Sequence, residues 1–128
     1  NDYPLTSLDI YRTVSEMLGQ PFLGDEKAKE DSHSLLPLLQ GQEDDALRDR
    51  TLINHSYRGV FSIRHGSWKL ILSDTSGGFS DFNNPDGYGI QTEGQLFNLA
   101  DDLQEQNNLY AERPDKVEEL SSSLEKVK

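Results

Sequence analysis

Leu8, Tyr11, Val14, Met17 and Leu18 recur at helical spacing, which predicts a first amphipathic helix over about Ser7 to Leu18. Thr6 or Ser7 stands where a cap is wanted, and Asp9 lies near the positive end of the helix. Gly19 and Pro21 supply the stop. The apolar stripe is expected to be core. Gly24 to Ser34 is a charged, loop-like segment. Ser34 to Gly41 (SLLPLLQG) is then a compact apolar plug, in which Pro37 limits the helix to a turn or two with buried leucines. Gln42 to Arg50 is charged again and reads as a short exposed helix or a loop.

The period then changes. Thr51 to Tyr57, Val60 to Arg64 and Ser67 to Ser73 are rich in β-branched and aromatic residues and read as strands. Arg58-Gly59 and His65-Gly66 interrupt them as two-residue hairpin turns, with glycine supplying a positive φ. Those turns set a register. Ile63 falls opposite Trp68, and Phe61 opposite Leu70. His55 falls opposite Ser62, which faces Lys69. One face is thus apolar (Phe61, Ile63, Trp68, Leu70, Leu72), and the other carries a polar row of His55, Ser62 and Lys69. Asp74 to Gly94 is a long loop, a length that is usually functional or disordered. Gln95 to Leu99 reads as a short edge strand. Pro114 opens a last helix through about Val127, with Val117, Leu120, Leu124 and Val127 as its buried stripe. The predicted fold is α+β: a four-stranded antiparallel sheet packed against a C-terminal helix, with an N-terminal helix. Residues 1–50 form the helix and leucine-rich segment, and residues 51–128 the sheet and its helix.

Composition narrows what such a fold does. The 128 residues suit one domain. Charged residues are 27% and the net charge is -11, with a mean hydropathy of -0.72. Such a field repels phosphate backbones, which argues against a nucleic-acid partner. No apolar run approaches the ~20 residues of a bilayer helix, so no membrane partner is expected. Without cysteine there is no disulfide framework and no thiolate zinc site. The start, NDYPLTSLDIY, is neither a signal peptide nor an initiator methionine, so an excised or processed segment is expected.

No motif carries chemistry by itself. Gly78-Phe79-Ser80-Asp81-Phe82 fails the last glycine of the nucleophile elbow and sits in a long loop. Asp81, Asn83, Asp86 and Gly87 approach a calcium loop, but Pro85 holds a ligand position and the glycine falls one place late. His33, His55 and His65 lack close zinc spacing. The residues alone describe an acidic α+β domain with no self-contained active site.

The order of segments nevertheless resembles a family. DSHSLLPLLQGQ (Asp31 to Gln42) resembles the D-G-x-S-L-L-P-L-L-x-G segment of sulfatases, and SLDIYRTVSEMLGQP (Ser7 to Pro21) the helix before it. RGVFSIRHGSWKLI (Arg58 to Ile71) is similar to arylsulfatase strands of the form G-x-F-A-x-R-x-G-x-W/Y-K. QLFNLADDLQEQNNLYAERPDKVEEL (Gln95 to Leu120) is similar to L-Y-D-L-x-x-D-P-x-E-x-x-N-L and the helix that follows. Arg12, Ser32, Asn98 and Leu103 depart from those patterns.

The resemblance implies the C-terminal part of a sulfatase. Its partner would be an N-terminal catalytic domain holding a formylglycine, made from C/S-x-P-x-R, and a divalent cation, usually calcium. Neither that motif nor a cysteine occurs in this chain, so no cofactor is expected here and the chain alone is expected to be inactive. The parent would hydrolyse sulfate esters, a sulfated glycan among them, and family breadth points to a periplasmic or secreted location. The resemblance also implies that the loop Ser76 to Asp81 reaches toward the cleft. Phe79 and Ser80 then become candidate substrate contacts, with His55 as a donor to a sugar hydroxyl or sulfate. Two other readings stay open: an independent carbohydrate-binding or interaction module, and the C-terminal part of a related phosphonate or phosphodiester hydrolase.

Overall fold

The computed structural model describes residues 3–20, 31–75 and 94–127. It divides into two compact units, residues 1–50 and 51–128.

In the first unit, α1 spans Leu8–Met17. Neither Thr6 nor Ser7 caps it with a side chain. The Asp9 carboxylate takes that role by accepting from the Thr6 amide at 2.8 Å. The helix ends in a Schellman pair, the Gln20 amide donating to Ser15 O at 2.9 Å and the Gly19 amide to Glu16 O at 3.0 Å. Among the described residues two one-turn helices follow: α2, Leu36–Leu39, and α3, Asp45–Arg48. Pro37 sits at the start of α2, where its missing N–H costs no bond. Asp44 caps α3 by accepting from the Leu47 amide.

The burial of this unit reverses two expectations. The predicted core stripe of α1 points outward: Leu8, Tyr11, Val14, Met17 and Leu18 are all exposed, while Asp9, Thr13 and Ser15 are buried. The plug leucines are also not core: Leu35, Leu36 and Leu38 are half-buried and Leu39 is exposed. Leu47, from the stretch expected to be exposed, is fully buried. The physical cause lies in Asp9, which must stay with its buried hydrogen-bond partners and so fixes which side of α1 faces in.

In the second unit, β1 (Thr51–His55), β2 (Phe61–His65), β3 (Trp68–Ile71) and β4 (Gln95–Asn98) form one antiparallel sheet in that order. Helix α4, Pro114–Glu125, packs on one face of it. The core is Ile63, Leu70 and Leu96 from the sheet with Leu120 and Leu124 from α4. Val127, expected in the same stripe, lies beyond the helix end and is exposed. The domain is therefore α+β, with the predicted elements in the predicted order.

Both hairpins close differently from expectation. Between β2 and β3 the loop is Gly66-Ser67, which pairs His65 with Trp68 and Ile63 with Leu70. Gly66 has φ +57°, and glycine in the first central position is the type II′ choice. The register moves by two residues, so every side chain keeps its face. Between β1 and β2 the loop is Tyr57-Arg58-Gly59. The Gly59 amide bonds Ser56 O at 3.0 Å and the Ser56 amide bonds Val60 O at 2.9 Å. Gly59 has φ +78°. This is a three-residue loop ending in a glycine bulge. It moves β1 by one residue, and a one-residue slip turns a strand over.

Candidate functional site

That slip decides where His55 stands. His55 pairs with Phe61, and Asn54 pairs with Ser62. His55 therefore shares the face of Phe61 and Ile63, and the expected row of His55, Ser62 and Lys69 does not form. Its ring lies 6.0 Å from that of Phe61 at an interplanar angle of 57°. It is exposed, at the turn end of the hairpin, with Nδ1 3.1 Å from Ser56 O. A carbonyl only accepts, so Nδ1 carries the proton and Nε2 of the neutral ring is an acceptor. Only the protonated ring presents a second donor to an outside oxygen.

Of the other members of the expected row, Ser62 pairs with Ile71 and Lys69 is held by an ion pair. Lys69 pairs with Arg64 across the sheet and forms an ion pair with Glu105 at 2.6 Å. Glu105 adopts φ +55°, a left-handed conformation that costs roughly 1–2 kcal/mol for an L-residue. His65 ends β2, with Nδ1 3.0 Å from Thr51 Oγ1. It is a strand-end residue, not the turn position expected. Phe79 and Ser80 lie outside the described residues.

Two polar clusters went unforeseen. In the first unit Arg50 Nη1 donates to Asp9 Oδ1 at 2.9 Å, Nη2 contacts Oδ2, and Nε donates to Pro4 O at 2.9 Å. The His33 amide adds a bond to Asp9 Oδ1 at 3.0 Å. Thr13 Oγ1 donates to Asp9 O at 2.6 Å and accepts from the Leu35 amide at 2.8 Å. Burial pushes the Asp9 pKa up, but the bonds from Arg50, His33 and Thr6 outweigh it and hold the carboxyl below its ordinary value. The pair is thus a fixed, buried brace between α1 and the segments carrying Ser32 to Leu35 and Arg50. The Asp9 to Thr13 spacing was a visible signal, since both lie on one helix face; Arg50 carried none.

The second cluster surrounds Asn108. Its Oδ1 accepts from the Leu96 and Tyr110 amides, each at 3.0 Å, and its Nδ2 donates to Gly94 O at 3.2 Å. The Leu109 amide bonds Leu96 O at 2.8 Å. Asn108 therefore closes the outer edge of β4, which would otherwise offer unpaired backbone groups. Nearby, the Arg113 guanidinium lies 5.1 Å from the centre of the Trp68 ring. Its hydrogen bonds to Asp115 bring that carboxyl down to about 2.

Among the described residues no three His, Cys, Asp or Glu side chains gather as a metal site. Asp9, the one buried carboxylate there, has both oxygens engaged by Arg50 and backbone amides, so it does not fit a cation.

Comparison with known proteins addresses the origin of this arrangement. No family model matches the chain. The chain is 28% identical over 123 residues to an N-acetylgalactosamine-6-O-sulfatase of Bacteroides thetaiotaomicron, a match covering 96% of this chain and 23% of that protein. The chain matches the C-terminal region of a sulfatase. Solved structures share the fold. A protein from work on metabolism of multiple glycosaminoglycans by Bacteroides thetaiotaomicron superposes with a TM-score of 0.60 at 28% identity, over 93% of this chain and 24% of that one. The fold also recurs, at 21% identity, in a protein solved with its substrate D-glucosamine-2-N,6-O-disulfate (TM-score 0.57, 93% of this chain, 23% of that one). It recurs again in the protein Ps i-CgsB (TM-score 0.63, 21% identity, 97% and 24%). The chain thus spans about a quarter of the length of the proteins it matches.

Proposed function

We propose that this chain is the C-terminal subdomain of a sulfuric ester hydrolase, stabilising a catalytic domain and shaping its substrate cleft. The observation that carries the reading is the match over 96% of this chain to a named sulfatase. The substrate class follows from the same relatives: a 6-O-sulfated amino sugar of a glycosaminoglycan. Hydrolysis then belongs to the parent. Its formylglycine and calcium would supply the nucleophile and polarise the sulfate, and no residue described in this chain fits either group.

This chain's own contribution is to position and to bind. The sheet and α4 share one core, and β3 precedes in sequence the segment that carries Phe79 and Ser80. In this reading Phe79 and Ser80 line a subsite for the sugar ring. His55, exposed at the hairpin end, offers its ring to a hydroxyl or sulfate oxygen.

The test is sulfate release. The full-length gene product carrying this chain should release sulfate from N-acetylgalactosamine-6-sulfate or a synthetic aryl sulfate, and the 128-residue chain alone should not. A full-length protein that cleaves phosphonates or phosphodiesters and no sulfate ester would overturn the reading. Phe79→Ala in an active parent should lower kcat/KM by raising KM, and an unchanged kcat/KM would remove Phe79 from the subsite.

A further inference from the structure

We propose that the outer edge of β1 pairs with the same edge of a second copy of this chain, joining two sheets into one. The two ends of the sheet are unlike. Asn108 and the Leu109 amide close the edge of β4, and β1 is the opposite end strand. Its register with β2 continues into the bond from the Ser56 amide to Val60 O, which makes Leu52 and Asn54 the residues bonded to β2. The N–H and C=O groups of Thr51, Ile53 and His55 therefore point away from the sheet. Among the described residues no backbone group bonds them. The strand (TLINH) also lacks the devices that guard an edge, since it holds no proline, no lysine and no bulge.

The strand is its own complement. In an antiparallel pair centred on Ile53, each Ile53 lies opposite the other, Thr51 opposite His55, and Leu52 opposite Asn54. All three outward residues then exchange backbone bonds. Ile53 packs against the core beneath α4, so the two isoleucines meet on the apolar side and extend both cores. Charge permits the approach. The net charge of -11 is carried elsewhere, because β1 and β2 hold Arg64 and two histidines but neither Asp nor Glu. A foreign peptide would use the same backbone groups, and the match of side chains across the axis favours a second copy. The pairing does not depend on the sulfatase reading.

Sedimentation should show a dimer for the 128-residue chain and for the full-length gene product. Thr51→Pro removes an outward N–H at the first strand position and leaves the β1–β2 bonds intact. It should weaken self-association roughly tenfold or more, with melting followed by Trp68 fluorescence unchanged. The chain has no cysteine, so cross-linking with oxidised glutathione reads the geometry. Ile53→Cys should form a disulfide dimer, because directly facing strand residues stand within disulfide reach. Thr51→Cys, about 13 Å from its own copy, should not, and mixing it with His55→Cys should restore the link. A monomeric 128-residue chain overturns the proposal. A monomeric full-length product beside a dimeric short chain also overturns it, and assigns the edge to the rest of the parent. Equal cross-linking of Ile53→Cys and Thr51→Cys overturns the antiparallel pairing.

Discussion

Helices α1 and α4 have the same kind of sequence and opposite burial. In α4 the apolar stripe turns in, with Leu120 and Leu124 against Ile63, Leu70 and Leu96. In α1 the apolar stripe turns out and the polar side is buried around Asp9. An amphipathic pattern says that a helix has two faces. It does not say which one its own unit will hide. The second unit contains the sheet that α4 needs. The first unit offers α1 a buried arginine, and an ion pair once buried constrains orientation more firmly than a methyl group does.

Breaking the brace should give the largest effect. Asp9→Ala leaves Arg50 buried without its partner, which costs about 3–5 kcal/mol in comparable pairs. The outcome to check is loss of protection in residues 8–17 by hydrogen exchange while the sheet amides stay protected. Leu120→Ala should act on the other unit, at about 2–5 kcal/mol for a buried leucine truncation. Thermal melting followed by Trp68 fluorescence reads it, since Trp68 packs beside that core. Equal loss in both units after either change would contradict their separate bracing.

Acid sharpens the same contrast. The Asp9 pKa is lowered in the folded chain relative to its ordinary value of 3.8. A lowered folded pKa means stability that is fully present above that ordinary value and lost as pH falls through the folded one. The first unit should therefore lose protection below about pH 4. Asp9→Asn should flatten that pH dependence, as hydrogen exchange across a pH series would reveal.

Much of this is legible in the sequence. Element type and order followed from period, and the four-stranded sheet with its helix followed from that order. The faces of β2 and β3 survived a wrong turn because their register error was two residues. The face of β1 did not survive, because Gly59 closes a three-residue loop where two residues were expected. His55 and its supposed row depended on that single residue. From sequence Asp9 reads as a helix-dipole residue and not as half of a buried pair, since nothing local announces a partner 41 positions away.

Gly59→Ala should cost about 1–2 kcal/mol, because the φ of +78° is disfavoured for any side chain. It should affect only the second unit, by lowering its melting temperature.

The most direct test concerns which way the two helices face. The chain has no cysteine, so single-cysteine variants report cleanly. Val14→Cys and Leu124→Cys in the dilute 128-residue chain should react with a thiol reagent at very different rates. The account predicts fast labelling at Val14, close to that of a free thiol, and strong protection at Leu124. Protection at both positions would place the α1 stripe inside its own unit and contradict the account.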